Sequence, residues 1–406
     1  MLVQEFKDKV ELFENKPYLY FTLSGLFATL GNGLNYITLS WLAYNISDSI
    51  SGVAMMMFFI WMPSILFAPI LGTMADRYNR KALMTISNIA RGIAVVAYVV
   101  LWHQDIHIDL MFLCAIIGVF ISFYMPAAVP FIQSIVPKEK LLRANATIDM
   151  VYEFGTIIGM GISGILITTL GIKNTLMTGG FLFILAGVFN LLIKSPKQKN
   201  NNEEVKQSWW QDYCDSLRYF RQNPHLFAPY LNQMLIMVLL MTIPVILVPY
   251  TKEVLNASTR TFSIYEALYA MGVLLGGFLS PILCRKLTTR YTLVFLLAIM
   301  AVGLYILSIN TSIGLVFPIY FMIGFGISSW ALSITLAQLA CNPDYQGRLQ
   351  ATFNGISGAF ILVLYLLIAS QGSSLSSQHI YLMQSVLAIC GITFILLLNK
   401  GSDHEY

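Results

Sequence analysis

Four ionisable side chains interrupt long apolar stretches of this chain: Arg91, Asp149, Glu153 and Glu266. An ionisable group in a low-dielectric interior is costly, so it marks a functional site or a compensating pair. Asp149 and Glu153 are four residues apart and would share one face of a helix. Two neighbouring carboxylates, or one in apolar surroundings, hold a proton more readily, which suits a proton-carrying group at neutral pH. Arg91 and Glu153 each lie about nine residues from the same end of their runs, so at ~1.5 Å per residue they share a depth. Two readings stay open from that spacing: a structural Arg91–Glu153 ion pair, or proton coupling through Glu153 or Asp149. Glu266 lies towards the other end of its run, where it would reach solvent or meet a cationic cargo.

A second group of charges sits in a short turn, Gly72-Thr73-Met74-Ala75-Asp76-Arg77-Tyr78-Asn79-Arg80-Lys81, between two apolar runs. One acid and three cations in so short a loop suit a tight hairpin on one membrane face. Asn79 tolerates left-handed backbone. An acid beside a helix N-terminus gains roughly 0.3–1 kcal/mol from the helix dipole. The cations Arg77, Arg80 and Lys81 would pair with acids or lipid phosphates, or act as plain positive anchors.

The elements that must position these groups follow from composition. The chain has 406 residues, 57% hydrophobic and 11% charged, with a mean hydropathy of +0.70. A soluble globule carries roughly 25% charged residues, so this one calls for a bilayer. A spanning helix needs about 20 mostly apolar residues, and about twelve such runs occur. They are continuously apolar rather than alternating, which argues against a β-barrel. With both termini placed in the cytoplasm, all Lys and Arg except Lys173, Lys252, Arg260 and the buried-run Arg91 fall on the inner side. That asymmetry obeys the positive-inside rule. The sequence predicts an all-α membrane protein with twelve transmembrane helices in two pseudo-symmetric six-helix bundles. The bundles would occupy residues 1–194 and 226–406, joined by a cytoplasmic linker over 195–225. Within that linker, Trp209, Trp210, Tyr213, Leu217 and Phe220 recur at helical spacing. They predict an amphipathic helix on the inner membrane surface, or a simple spacer.

No cleavable signal is expected, because the first apolar run is too long for one. Five cysteines, all in spans or on the inner side of this topology, predict no disulfide. No C-x-x-C or H-x-x-H pair occurs, so no metal site is expected. No Walker A, H-E-x-x-H or G-x-S-x-G element is present, which argues against ATP-driven transport and against an enzyme, and no cofactor is expected.

The turn Gly72 to Lys81 resembles the G-x-x-x-D-R-x-G-R-K signature of the major facilitator superfamily of transporters, with Asn79 in place of the inner Gly. Gly31-Asn32-Gly33-Leu34, Pro63, Asn88-x-x-Arg91, Lys140 to Ala146 and Gly347-Arg348 resemble the branch containing macrolide-efflux proteins and bacterial siderophore exporters. The resemblance implies an inter-domain latch built from Gly72, Asp76, Arg77, Arg80, Lys81 and Arg348. It implies a cavity lined by spans one, four, seven and ten, so that Asn32, Asn35, Tyr124, Asn232, Gln233 and Trp330 would meet an amphipathic substrate. Gly155 to Gly164 is similar to the antiporter motif of the superfamily, with Met160 replacing its proline and Ser163 one glycine. Gly155, Gly159 and Gly164 would there allow close helix packing.

The expected activity is alternating-access export of an amphipathic drug or siderophore, exchanged for protons across a bacterial plasma membrane. The partners would be that small molecule, membrane lipid and the proton, with no nucleic acid, and the chain would act as a monomer. Two rivals remain: a lysophospholipid flippase of the same fold, and a passive channel.

Overall fold

The computed structural model describes residues 12–67, 78–137, 140–194, 209–341, 343–371 and 375–398. The turn residues Gly72, Asp76 and Arg77 lie outside them, so the geometry of the expected latch does too. The described residues are helical, with no strand among them.

In chain order the helices are α1 (Lys16–Ser47), α2 (Ile50–Leu66), α3 (Arg80–His103), α4 (Leu110–Ser122), α5 (Tyr124–Ile135) and α6 (Leu141–Leu192). There follow α7 (Trp209–Gln222), α8 (Phe227–Pro249), α9 (Thr259–Ile309), α10 (Ile313–Ile327), α11 (Ser329–Ala340), α12 (Pro343–Gln371) and α13 (Ser377–Leu398). Eight described helical segments are long and apolar enough to cross a membrane. α2 is apolar but shorter. Large apolar side chains stand on the surface of these helices, such as Phe278 at 72% exposure and Ile309 at 64%. Such a surface is excluded from water but matches lipid tails. This is a multi-pass membrane protein.

Two of the long helices bend sharply. α6 turns at Gly171, whose φ of 81° suits a residue without a Cβ. α9 turns at Thr288, whose φ of 69° is strained for a β-branched residue. Residues 280–286, with the cations Arg285 and Lys286, lie inside α9 just before this bend. Asn79 corrects another expectation. Its φ is −62°, not left-handed, and its side chain accepts from the Ala82 amide as the N-cap of α3.

The chain forms two compact units, one of residues 1–46 with 55–204 and the other of residues 47–54 with 205–406. In the first, small residues set the approach of α1 to α6. Gly155 rests on Thr29 and the Leu26 carbonyl, and Gly159 on the Leu30 carbonyl. Gly33 reciprocates from α1 against the Thr156 carbonyl and the Met160 amide. Any Cβ at Gly33 or Gly159 would enter the facing backbone, so the crossing depends on these glycines. Gly164 is buried further along α6.

In the second unit, α7 does more than lie along a surface. Phe220 packs its ring 4.8 Å from Phe353 of α12 and 6.1 Å from Tyr230 of α8. Tyr230 and Phe353 are themselves 4.7 Å apart, and Leu226, Ala337, Cys341 and Leu349 complete the cluster. Leu217, expected on the apolar face, is exposed instead.

Candidate functional site

Among the described residues, each unit holds one buried acidic or basic side chain. In the first it is Arg91, 1% exposed on α3. Helical spacing places Ser87 and Asn88 beneath it, four and three residues back. The guanidinium fork uses that spacing fully. Nε donates to the Ser87 carbonyl at 3.2 Å, and one Nη donates to the Asn88 amide oxygen. The other Nη crosses to α1 and donates to Asn32 Oδ1 at 3.0 Å. The Phe183 ring of α6 covers the cation at 4.5 Å, and the Tyr124 ring of α5 lies at 6.0 Å. Asn88 reaches on to Ser24 at 3.5 Å, and the Tyr124 and Tyr152 hydroxyls meet at 3.2 Å. Among the described residues, amide dipoles and π faces thus take the place of a counter-ion.

Glu153 is not among the contacts of Arg91, contrary to the ion pair considered above. Three of the five guanidinium N–H groups go to Ser87, Asn88 and Asn32, and Glu153 is exposed on α6. A shared depth did not place the two on facing sides. Asp149 lies on the same helix.

The remaining residues expected at the latch and cavity fall as follows. Arg80 donates to the Pro130 carbonyl of α5 at 3.4 Å, and Lys81 to the Leu191 carbonyl at the end of α6 at 2.9 Å. A cation on the last carbonyls of a helix also meets its negative pole. Arg348 lies on α12. Asn35 is buried against Gly179, and its amide has no hydrogen-bond partner among the described residues. Asn232 and Gln233 are buried on α8, each with an unpartnered oxygen among the described residues. Trp330 is half-buried at the start of α11.

The buried charge of the second unit is Glu266, 4% exposed on α9. A cluster of tyrosines lies on the same and neighbouring helices. Tyr265 and Tyr269 share its helix; Tyr320 comes from α10 and Tyr381 from α13. The Tyr265 and Tyr320 rings stack at 6.1 Å, and Tyr269 tilts against Tyr320 at 6.2 Å. Tyr250, just past α8, meets Tyr381 edge-on at 5.1 Å. The Tyr320 and Tyr381 hydroxyls are 2.8 Å apart, so one of their two hydrogens remains for another acceptor. Tyr250 donates to the Asn310 carbonyl and Tyr265 to the Ile313 carbonyl, each at 3.0 Å. Those bonds pin the 310–313 connection over this end of the unit. The carboxylate itself has no hydrogen-bond or ion-pair partner among the described residues.

Sequence reasoning found Glu266 but not its tyrosines, which come from separate helices and share no spacing. It found Asn32, Asn88 and Arg91 but not Phe183.

A buried cation in one helical unit and a buried acid in the other, inside lipid-facing helices, define a polytopic membrane protein with polar sites at its core. The profile of the Major Facilitator Superfamily matches residues 21–365, and the chain belongs to that family of transporters. It is similar to macrolide efflux protein A of Streptococcus pyogenes, at 20% identity over 345 residues, 84% of this chain and 85% of the relative. A shorter stretch of 145 residues is 35% identical to the multi-drug resistance efflux pump PmrA of Streptococcus pneumoniae serotype 4, covering 34% of each chain. Among solved structures, a mutant form of the nucleoside transporter NupG shares the fold with a TM-score of 0.72. Its identity is 15%, over 95% of this chain and all of that one. The chain thus sits among efflux-like members of the superfamily.

Proposed function

We propose that this protein exports amphipathic organic molecules, drugs among them, by alternating access, in exchange for protons. The observation that carries the reading is Glu266, an acid buried among lipid-facing helices with neither cation nor hydrogen-bond donor bound to it among the described residues. Such a group meets its desolvation cost by taking up a proton or a mobile cation, and alternate occupancy is the elementary step of exchange. The efflux proteins among the relatives support the outward direction and the cargo class. Arg91 holds a fixed positive charge in the first unit and needs no titration for its role.

We assign twelve crossings, with both termini in the cytoplasm and the protein in the bacterial plasma membrane. The bends at Gly171 and Thr288 and the additional helices α1 and α2 support that count. Lys and Arg placement supports the orientation. The charged turn at Asp76 would latch the two bundles, each acting as one rocking body.

The test uses everted membrane vesicles supplied with a fluorescent cationic dye, with an imposed pH gradient. Dye accumulation that collapses with the gradient is expected for the wild type and is lost in Glu266→Gln. Transport that proceeds unchanged without a gradient, or in Glu266→Gln, would overturn the coupling.

A further inference from the structure

We infer that Arg91 and Asn35 form a buried site for a small monovalent inorganic anion, of which chloride is the abundant example. The site belongs to the first unit and is independent of Glu266 and of the export reading.

A buried guanidinium needs negative charge, or acceptors for all its donors, to offset lost hydration. Arg91 has five N–H groups, of which three are matched by Ser87, Asn88 and Asn32. Two remain among the described residues, and the three partners are neutral. The helices around the guanidinium are short of acids. α1, α3 and α5 carry no Asp or Glu. α6 carries Asp149 and Glu153, both before its bend at Gly171. The α6 residues that meet this site, Gly179 and Phe183, follow that bend.

Asn35 supplies the other half of the site. It is 3% exposed, and neither its Nδ2 nor its Oδ1 has a hydrogen-bond partner among the described residues. Asn32 and Asn35 stand three apart on α1, and Gly179 and Phe183 four apart on α6, so each pair shares a face. Asn32 and Phe183 both meet the guanidinium, at 3.0 Å and 4.5 Å, while Asn35 packs on Gly179. The orphan amide therefore stands one helical turn, ~5.4 Å, from the level of the guanidinium. A Cβ at Gly31 would come within 2.9 Å of the Phe183 ring and 3.2 Å of the Gly179 carbonyl, so α1 and α6 close this side. Arg91 and Phe183 are each 1% exposed. That closure selects the ligand. A bulky organic anion would have to part α1 from α6. A monatomic anion accepts from the two remaining guanidinium N–H groups and from Asn35 Nδ2 without doing so.

The test is thermal unfolding of the purified full-length protein in lipid nanodiscs, with sodium chloride replacing sodium gluconate at constant ionic strength. An ion that binds only the folded state raises the melting temperature by mass action. At about ten times its Kd the expected rise is roughly 3–6 °C. Equilibrium dialysis with radiolabelled chloride should count about one ion per protein, displaced by bromide and not by gluconate. Arg91→Met removes both responses, and Asn35→Ala weakens binding about tenfold. Arg260→Gln, at an exposed cation of the second unit, keeps both. If Arg91→Met fails to fold, Asn35→Ala and displacement from the wild type decide. A melting temperature indifferent to chloride overturns the site. So does chloride binding that is unchanged in Arg91→Met or in Asn35→Ala, or that gluconate displaces as well as bromide.

Discussion

Replacing Asn32 with Ala probes the Arg91 cluster where it is most exposed to error. Arg91 is buried, and its Nη1 donates to Asn32 Oδ1 at 3.0 Å across the α1–α3 contact. Hydrogen bonds to charged groups contribute about 1.5–3 kcal/mol, and a buried charged donor left unpaired loses that amount in full. Asn32→Ala should therefore destabilise the first unit by about 1.5–3 kcal/mol. For a unit of this size that is roughly 3–12 °C in melting temperature. Arg91→Met behaves differently, because it removes the charge along with its need for partners. Combining the two gives the decisive number. Once Arg91 is Met, Asn32→Ala has no charged donor to orphan, so the double variant should be more stable than the sum of the singles by about 1–3 kcal/mol. The assay is thermal unfolding of the four proteins in one detergent, followed by tryptophan fluorescence. Additive losses, or an Asn32→Ala protein that melts with the wild type, would show that Arg91 draws its compensation elsewhere, with Glu153 the first suspect.

Gly159→Val and Gly33→Val should each cost about 1–3 kcal/mol or more and reduce monodisperse protein on size exclusion, because their side chains enter the facing backbone of α1 or α6; normal yields of both would refute the close crossing. The two helix bends should respond oppositely. Gly171→Ala meets no atom within 4 Å yet forces a Cβ into φ 81°, so a loss of about 1–2 kcal/mol is expected. Thr288→Gly relieves a φ of 69° and should raise the melting temperature; a fall would mean that the threonine side chain supports the bend. N-ethylmaleimide should modify the exposed Cys214 of α7 well before Cys341. Burial pushes the Cys341 thiol up, and the reactive thiolate is correspondingly scarce. Phe220→Ala should uncover Cys341, read by peptide mass spectrometry, and equal rates in the unaltered protein would contradict the packing of α7.

Much of the architecture was legible because lipid imposes a coarse constraint: apolar runs of spanning length must be helices. Helix spacing also foretold local pairs, such as Asn88 beneath Arg91. What could not be read is the rotation of one helix about its axis relative to the next. Arg91 and Glu153 were expected at one depth, but the guanidinium bonds to Asn32 on α1 while Glu153 is exposed on α6. The tyrosine cluster shows the same limit. Tyr250, Tyr320 and Tyr381 are far apart in sequence and meet only through packing. The bend at Thr288 carries no glycine or proline signal at that position, since proline stands earlier in the helix at Pro281. Asn79 was read from its backbone tolerance, whereas its capping side chain decides its geometry.

The central claim is that Glu266 exchanges a proton for cargo, and proton release on binding an amphipathic organic ion measures it directly. Tetraphenylphosphonium is added to the purified protein in weakly buffered detergent solution containing a pH indicator, across a range of starting pH. Where Glu266 begins protonated, the wild type should release up to about one proton per bound cation, and Glu266→Gln none. Cation binding without proton release at every pH, or equal release from Glu266→Gln, would contradict the account.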